Sequence, residues 1–418
     1  MIVRGGTGLS RLSTTEKGRK RQRNAKEDSA VAISFTAMSR KKLISVVGAR
    51  PNFMKIAPIL LQLRNFPDRF HSVLVHTGQH YDQAMSEVFF RDLRMEAPDY
   101  NLCVGSGSHA VQTGQIMQRF EEVCLAENPD LVLVGGDVNS TLACSLTAVK
   151  LHIPVAHVEA GLRSFDRTMP EEINRLVTDC ISNLLFVTEP SGVENLRKEG
   201  IAPEKIHFVG NTMIDSLVAC LKEAAGSSNP PRVPFLQGQP FCLATIHRPA
   251  NVDDVAKLKK VVEILHAASE VFPVVFSAHP RTTQRLIGIH EADRFVVVDD
   301  RVTELQQGSV YLLPPLSYLD FLYSMSNARA VMTDSGGVQE ETTFLGVPCL
   351  TLRDTTERPV TVHMGSNEIV SLDKERIVNS LVTIKEGRWK VSTTPPLWDG
   401  KAAERIVQVL SKWFPERV

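Results

Sequence analysis

The sequence predicts an α/β protein with two Rossmann-like, doubly wound domains. From about residue 42 onward, short apolar runs alternate with stretches of helical periodicity, a pattern typical of parallel sheets covered by helices. A stretch rich in Gly, Pro and Ser, "GSSNPPRVPFLQGQP", interrupts this alternation, which then begins again. The 418 residues suffice for two domains with sizeable cores.

The predicted strands are short buried runs that each end in a turn. In the first half they read "LISVVG", "HSVLVHTG", "DLVLVGGD", "PVAHVEAG", "LLFVTEP" and "IHFVG", and "FMKIAPILLQLRN" has helical periodicity. In the second half they read "FCLATI", "FPVVFSAHP", "VYLLPP", "AVMTD" and "GVPCLTL". We therefore expect a first domain over residues 41–212 and a second over residues 213–399.

The two ends of the chain differ from these domains. The final stretch "AAERIVQVLSKWF" has the pattern of an amphipathic helix whose apolar face can cover either domain. Residues 1–40 include the polar, strongly basic run "STTEKGRKRQRNAKEDS", and we expect this extension to be disordered. A nucleic-acid or targeting role for "KGRKRQR" is one interpretation. We favour another, in which Met38 is the natural start and the residues before it are an upstream extension.

The composition argues against several classes of protein. The 47 basic and 47 acidic residues cancel, which argues against a globally basic nucleic-acid binder. The seven cysteines are scattered singly, so neither a zinc site nor a disulfide framework is indicated, and a reducing, cytoplasmic setting fits best. No apolar run reaches the roughly 18 residues that a membrane helix needs.

One strand-to-helix turn, "TDSGGVQEE", has the features of a phosphate-binding site. Ser335, Gly336 and Gly337 follow the apolar run "ARAVM" and precede a predicted helix. Backbone N–H groups and the positive end of the helix dipole favour an anion there, and Gly lets a phosphate oxygen approach closely. The alternative is that Ser335 only caps the helix.

Further polar residues collect where the predicted strands end. The carboxylates are Asp137, Glu159 and Glu171; each has an ordinary explanation, such as a helix cap for Asp137 or a favourable helix dipole for Glu171. Ligands of α/β sheets bind in the crevice beyond the carboxyl ends of the strands, so the group predicts a cleft for an anionic ligand, with carboxylates for proton transfer. The cationic and imidazole residues at these ends are Arg50, Lys55, Arg163, His247, Arg248, His279, Arg281, Arg353 and Arg358.

Eight motifs together resemble the non-hydrolysing UDP-N-acetylglucosamine 2-epimerases, in the same order and over nearly the whole chain from about residue 42. They are "GARPNFMK", "GDVNSTLA", "HVEAGLRS", "MPEEINR", "GNTMIDSL", "TIHRPAN", "TDSGGVQEE" and "RDTTERP". The resemblance implies a fold like that of the B-type nucleotide-sugar glycosyltransferases, with two Rossmann-like domains facing a deep cleft. It also implies that the second domain binds UDP and that a C-terminal helix over 400–418 joins the first.

The resemblance further implies a reaction: reversible inversion at C2 of UDP-N-acetylglucosamine to give UDP-N-acetylmannosamine. UDP leaves by anti elimination, 2-acetamidoglucal forms, and UDP adds back to the opposite face. Neither a metal nor a cofactor is expected. The implied enzyme is a cytoplasmic homodimer that supplies surface polysaccharide precursors and has a UDP-sugar as its partner, with no nucleic-acid or membrane partner.

Motif by motif, the resemblance assigns roles to residues. The implied catalytic residues are Asp137, Glu159, Glu171 and His247. Acids crowded in a closed cleft are expected to have raised, coupled pKa values, so that one holds a proton near neutral pH. The implied substrate-binding residues are Arg50, Lys55, Phe321, Ser335, Gly336, Gly337, Glu341 and Arg358.

Several positions depart from the family's pattern. Ala250 replaces a glutamate that many relatives have, and Leu316 replaces a glutamine that some have near the uracil. Gln79 and His80 match a segment through which some members bind an activator, but the residues after them differ. The alternatives are a 2-epimerase of a UDP-diacetamido-uronic acid, a glycosyltransferase of the same fold, a hydrolysing relative and a UDP-sugar sensor without catalysis. A hydrolysing animal-type relative would carry a sugar kinase after its epimerase, for which we expect no room here.

Overall fold

The computed structural model describes residues 3–4, 40–78, 90, 93–226, 233–299 and 302–415. Its strands form two sheets. The strands of the first sheet are β1 (Val3–Arg4), β2 (Lys41–Val47), β3 (Phe70–His76), β4 (Tyr100–Asn101), β5 (Leu131–Gly135), β6 (Val155–Ala160), β7 (Leu184–Val187) and β8 (Ile206–Phe208). The strands of the second are β9 (Cys242–Thr245), β10 (Val274–Ser277), β11 (Val296–Val297), β12 (Val310–Leu313), β13 (Ala330–Thr333), β14 (Cys349–Thr351) and β15 (Asn367–Ile369).

Helices connect these strands and cover the sheets. In chain order they are α1 (Arg50–Leu63), α2 (His109–Glu127), α3 (Asn139–Lys150), α4 (Pro170–Ile181), α5 (Pro190–Lys198), α6 (Thr212–Gly226), α7 (Pro249–Val252), α8 (Val255–Ser269), α9 (Pro280–Gly288), α10 (Tyr318–Asn327), α11 (Gly336–Leu345), α12 (Pro359–His363), α13 (Lys374–Lys385) and α14 (Ala402–Trp413). Short 3₁₀ helices lie at Pro203–Lys205, Pro234–Leu236 and Ala292–Arg294.

The strand order makes both sheets doubly wound. The first sheet has the order β1-β4-β3-β2-β5-β6-β7-β8 and is parallel except for β1, which pairs antiparallel with β4. The second has the order β11-β12-β10-β9-β13-β14-β15 and is parallel throughout. The strands β5 and β7 are buried along their whole length, as expected where helices cover both faces of a sheet. The predicted fold class is therefore confirmed.

The chain reverses its winding direction at one point in each sheet. In the first sheet this switch point lies between β2 and β5, and in the second between β9 and β13. Crevices for ligands form at switch points, beyond the carboxyl ends of the strands. The segments after these four strands carry most of the residues that the sequence singled out.

The C-terminal helix α14 packs against α1 and α6, beside the first sheet. Its Ile406, Val407 and Leu410 are buried in the core that also contains residues of α1. The Asp215 carboxylate, in α6, accepts hydrogen bonds from the first backbone N–H groups of α14, at 3.1 Å and 2.7 Å. Just before α14, the Trp398 indole donates to the carbonyl of Thr188, 2.9 Å away.

The expected boundary between the two domains falls at the start of α6, which contacts helices beside both sheets. The division of the chain at this point stays a prediction. Within the basic extension the structure describes only Val3–Arg4, the edge strand β1. The basic run itself lies outside the described residues, and so do Gln79 and His80.

Candidate active site

A cleft of about 2070 Å³ lies beyond the carboxyl ends of strands from both sheets. On the side of the first sheet, its lining follows β2 at Gly48 and Ala49 and follows β5 at Asp137. On the other side, it follows β9 at His247 and β13 at Ser335. Both switch points therefore open onto one cavity.

Most of the predicted site residues line this cleft. Two cases differ: Glu159 lies behind the lining and is almost fully buried, and Arg50 begins α1, but its side chain is outside the described part of the structure. The predicted residues that line the cleft are Lys55, Asp137, Glu171, His247, Phe321, Ser335, Gly336, Gly337, Glu341 and Arg358.

The turn after β13 leads directly into a helix N-terminus. Ser335 is the N-cap residue of α11, but its side chain makes no capping hydrogen bond. A Cβ atom on Gly336 would lie 2.5 Å from Nη1 of Arg358, so only glycine leaves room for that guanidinium. The turn thus combines free helix N–H groups with an arginine in direct contact, as an anion site requires.

Arg358 connects the turn to three buried carboxylates. Its Nε lies 2.8 Å from Glu340, its Nη1 2.6 Å from Glu357, and its Nη2 3.2 Å from Glu159. Burial opposes the charge of Arg358, but these carboxylates raise its pKa well above the ordinary value. Arg358 therefore remains a cation at the wall of the cleft, where it contacts Glu159 of β6 and two carboxylates that follow β13 and β14.

Glu159 is held in an unusual backbone conformation. The pairing of β6 with β7 shifts register between Val158 and Ala160, and Glu159 has a φ of +71° at this bulge. Left-handed backbone at a non-glycine residue costs free energy and is concentrated at functional sites. Lys55 Nζ lies 2.7 Å from the Glu159 carboxylate, on the opposite side from Arg358.

Asp137 faces the cleft and is paired with Arg175 of α4. Burial would raise the pKa of Asp137, but the charges of Arg175, Lys55 and Arg358 outweigh burial and lower it. The expectation of a raised pKa is therefore wrong at this carboxylate. The cations that lie near Asp137 could not be placed from the sequence.

Near Arg358, two carboxylates that the sequence did not single out have raised pKa values. Burial raises the pKa of Glu340 above its ordinary value despite the nearby Arg358. Burial also raises the pKa of Glu189, which follows β7, to about 7. Glu340 lines the cleft, and Glu189 has Glu340 and Arg358 as its charged neighbours.

The adjacent Glu171 and Glu172 have different surroundings. Glu171, in the first turn of α4, lines the cleft. Glu172 is buried and accepts hydrogen bonds from the backbone N–H groups of Ser164 and Phe165, at 2.9 Å and 3.1 Å. Glu172 therefore fixes the loop before α4, and Glu171 is the one of the two that faces the cleft.

His247 is positioned by a buried aspartate that sequence reasoning missed. Asp334 accepts hydrogen bonds from the backbone N–H groups of His247 and Arg248 and from the side chain of Asn251, at 2.9 to 3.2 Å. The His247 ring also approaches this carboxylate, at 3.4 Å. Asp334 directly follows β13 and directly precedes the Ser-Gly-Gly turn. This position is the feature of the sequence that could have indicated a role for Asp334 in the site.

Glu341 is oriented by another residue that the sequence did not reveal. The Tyr318 hydroxyl donates a 2.9 Å hydrogen bond to Oε1 of Glu341. Tyr318 and Phe321 both line the cleft, near the start of α10. Leu316 and Ala250, the positions that depart from the family's pattern, also line it.

Not every strand-end cation belongs to the site. The Arg163 guanidinium donates two hydrogen bonds to the Glu199 carboxylate, at 2.8 Å and 2.6 Å, and forms an ion pair with Asp179 at 2.7 Å. Arg163 is therefore a structural residue. Arg281 pairs with Asp253. The strand-end residues that do line the cleft are Arg248, His279 and Arg353.

The described residues contain neither a group of metal ligands nor a helix that could span a membrane. Across the described ranges, no group of three or more His, Cys, Asp or Glu side chains is placed to hold a metal ion. Within the same ranges, no helix combines the length and the apolar character needed to cross a membrane.

The fold and the cleft define a two-sheet α/β enzyme class that binds an anionic ligand between its halves. A family model described as UDP-N-acetylglucosamine 2-epimerase matches residues 62–411. The chain belongs to this family, which is a family of isomerases.

Characterised relatives support this membership. A UDP-N-acetylglucosamine 2-epimerase from Methanocaldococcus jannaschii is 42% identical and aligns with 88% of this chain and 99% of its own length. The crystal structure of a M. jannaschii UDP-GlcNAc 2-epimerase in complex with UDP-GlcNAc and UDP matches with a TM-score of 0.79 at 42% identity, over 88% of this chain and 99% of that chain. A UDP-2,3-diacetamido-2,3-dideoxy-D-glucuronate 2-epimerase from Pseudomonas aeruginosa is 39% identical, over 89% of this chain and 99% of its length.

Proposed function

We propose that this protein catalyses the reversible C2 epimerisation of UDP-N-acetylglucosamine to UDP-N-acetylmannosamine without net hydrolysis. One observation carries the proposal: an anion-binding turn with Arg358 and a set of carboxylates with Asp137 and Glu171 face the same cleft. The first can hold a diphosphate, and the second can move protons at a sugar ring. The relative from M. jannaschii, whose structure contains UDP-GlcNAc and UDP, supports this choice of substrate.

The second half of the chain provides the proposed nucleotide site. The diphosphate binds the backbone N–H groups of Gly336 and Gly337 at the start of α11, with Arg358 and His247 beside it. The Ser335 N–H already donates a 3.0 Å hydrogen bond to Thr333 Oγ1. Glu341, which Tyr318 orients, accepts hydrogen bonds from the ribose hydroxyls. Phe321 lies near the uracil. A carboxylate suits the ribose because it offers acceptors to two adjacent hydroxyl groups.

The chemical step is an anti elimination. A carboxylate takes the proton from C2, the C1=C2 double bond forms, and the C1–O bond breaks with its electron pair passing to the diphosphate. In the reverse sense, a diphosphate oxygen attacks C1 and a proton reaches C2 on the opposite face. The cationic turn stabilises the charge that develops on the departing diphosphate.

The electrostatics of the cleft favour Asp137, among the carboxylates, as the group that accepts the proton. Asp137 has a lowered pKa, so it is a carboxylate at neutral pH and can accept a proton. Glu171 lies on the neighbouring helix α4 and serves the other face. Glu159, held by Lys55 and Arg358, must exchange these partners before it reaches a sugar, and the diphosphate is a competing anion for both cations.

One relative favours a different UDP-sugar, a UDP-diacetamido-uronic acid, as the alternative substrate. The epimerase from P. aeruginosa that is 39% identical acts, by its name, on a UDP-diacetamido-glucuronate. Cationic residues that could meet a C6 carboxylate, Lys257, Lys260 and Lys374, also line the cleft. We propose UDP-N-acetylglucosamine first because the 42% identical relative acts on it.

The cellular setting is part of the same proposal. The product would supply precursors of surface polysaccharides, in the cytoplasm. A homodimer remains the expected assembly.

Proton NMR in heavy water tests the reaction directly. We expect UDP-N-acetylglucosamine incubated with the purified protein to yield UDP-N-acetylmannosamine with deuterium at C2. Free N-acetylmannosamine would instead indicate a hydrolysing enzyme. If UDP-N-acetylglucosamine is unchanged and the UDP-diacetamido-uronic acid is epimerised, the second substrate is correct. No conversion of either sugar by protein that binds UDP would contradict the proposal.

A further inference from the structure

Three contacts fix Asp137 and the peptide bond before it, two from residues of α4 and one from a residue of β6. Arg175 pairs with the Asp137 carboxylate, and Asn174 donates a 2.9 Å hydrogen bond to the Asp137 carbonyl. His157 of β6 contacts the carbonyl of Gly136 through Nε2, at 2.7 Å. Because a carbonyl only accepts, His157 is the donor there. Both the side chain and the preceding peptide of Asp137 are therefore fixed.

Arg175 is itself held rigidly. Its side chain is 2% exposed, and its Nη1 lies 3.2 Å from Glu172. Glu172 in turn accepts hydrogen bonds from the loop before α4, at Ser164 and Phe165. A guanidinium that contacts two carboxylates has little freedom to rotate, so it defines where the Asp137 oxygen lies.

The same helix also carries Glu171, one turn before Arg175. Residues four apart in a helix lie on the same face, so the backbone positions of Glu171 and Arg175 have a fixed separation. The helix thus holds the Asp137 carboxylate at a set place relative to the backbone of Glu171. Proton transfer on two sides of a sugar ring requires such a fixed separation.

We infer that Arg175 is a positioning residue for the reaction, which fixes the Asp137 carboxylate relative to Glu171 and keeps it available as a proton acceptor. This inference rests on the proposed function, because it assigns Asp137 a part in the chemistry. Arg175 does not touch the substrate in this role. It acts only through Asp137.

Two variants separate the charge of Arg175 from its geometry. Arg175→Met removes both, and we expect kcat to fall at least 100-fold while the KM for the UDP-sugar and the Kd for UDP change less than threefold. Arg175→Lys keeps a charge but lacks the planar guanidinium that holds two carboxylates in a fixed geometry, and we expect an intermediate loss of about tenfold. Arg69→Met is the control. Arg69 donates hydrogen bonds to the backbone carbonyls of Ser411 and Phe414, away from the cleft lining, so kcat should stay near the wild-type value.

A direct titration gives a readout that does not need turnover. In protein with ¹³C at the aspartate carboxyl carbons, Asp137→Asn identifies the Asp137 signal. We expect its titration midpoint to rise by about one pH unit or more in Arg175→Met and by much less in Arg175→Lys, because a positive neighbour lowers the pKa of a carboxyl group.

The outcomes separate the two proposals. If the wild-type protein converts no UDP-sugar, the proposed function fails, and the Asp137 titration still decides whether Arg175 controls this carboxyl group. If folded Arg175→Met keeps kcat within threefold, or if its Asp137 signal titrates as in the wild type, the inference is overturned. A parallel loss of UDP affinity would also overturn it, since that indicates general structural damage. Should Arg175→Met not fold, Arg175→Lys decides by the same measurements.

Discussion

Lys55 Nζ lies 2.7 Å from the Glu159 carboxylate, and both side chains are almost fully buried. This ion pair joins α1 to the bulge in β6 beneath the cleft. Removal of one partner from a buried pair is costly because the other charge is left without compensation. Removal of both charges is much less costly.

This relationship predicts the outcome of a double-variant cycle. We expect Lys55→Met to lower the free energy of unfolding by about 3 to 5 kcal/mol. Glu159→Gln in the same chain should restore part of this loss, since Arg358 still contacts Glu340 and Glu357. Urea unfolding of the two single variants and the double variant measures the effect, and strictly additive losses would show that the two residues do not interact.

Gly336 and Gly337 are predicted to differ sharply in their tolerance of a methyl group. A Cβ atom at Gly336 would lie 2.5 Å from the Arg358 guanidinium, whereas one at Gly337 would lie 3.3 Å from the flexible end of Met213. We expect Gly336→Ala to weaken UDP binding at least tenfold and Gly337→Ala to weaken it less than threefold. Isothermal titration calorimetry with UDP compares the two, and equal affinities would argue against contact between Arg358 and the diphosphate site.

Asp137→Asn is expected to abolish turnover and to leave UDP affinity nearly intact. The amide cannot accept the C2 proton, and general acid–base groups contribute roughly 10²- to 10⁴-fold to a rate. The kcat from a coupled UDP-sugar assay and the Kd for UDP test the prediction together. Retention of the full rate by this variant would remove Asp137 from the acid–base machinery.

Glu341 and Tyr318 are expected to affect binding more than chemistry. Glu341→Ala should raise the KM for the UDP-sugar more than any change at Tyr318, because it removes the proposed acceptor for the ribose. Tyr318→Phe removes one 2.9 Å hydrogen bond to Glu341 and should raise KM by about three- to tenfold. Both variants should keep kcat close to the wild-type value; a larger effect on kcat than on KM in either would contradict this division.

Glu189 gives the protein a predictable dependence of stability on pH. Its pKa in the folded state is about 7, against an ordinary value of 4.5, and the change is caused mainly by burial. Arg358 and Glu340 are its charged neighbours, and Ser191 and the backbone of Val360 donate hydrogen bonds to it. The folded protein therefore retains a proton that the unfolded chain releases between these two values.

This bound proton determines the direction in which stability changes with pH. The contribution of Glu189 to the free energy of unfolding is complete below pH 4.5 and is lost as the pH rises through 7. Glu189→Gln lacks this titration, so its unfolding free energy relative to the wild type should increase by on the order of 3 kcal/mol from pH 4.5 to pH 8. Chemical unfolding of both proteins at several pH values measures this, and a constant difference across the range would contradict the assignment.

The parts of the fold that could be read from the sequence are those with a local pattern. The long apolar runs predicted strands such as β2 and β5 because complete burial of a parallel strand selects continuous apolar residues. The two- and three-residue strands β4, β11 and β15 were not predicted, since so short a segment has no periodicity. Their pairing depends on strands already in place.

The site residues likewise divide into those that a local sequence pattern predicts and those that no local pattern indicates. Asp137, His247 and the Ser335–Gly337 turn were predictable because parallel strands bring their carboxyl ends to one edge of a sheet. Arg175 and Asp334 were not, since each contacts a partner 38 or 87 positions away that no local pattern indicates. The burial of Glu159 also escaped prediction, because the bulge that turns it inward depends on the register between two strands.

The return of the chain to the first sheet has a mechanical consequence. After β15 and α13 the chain returns to the first sheet, where Trp398 and Asp215 anchor it around the start of α14. A connection anchored in this way restricts how far the two sides of the cleft can turn relative to each other. We therefore expect the phosphate-binding turn to keep nearly the same orientation toward Asp137 when a ligand binds.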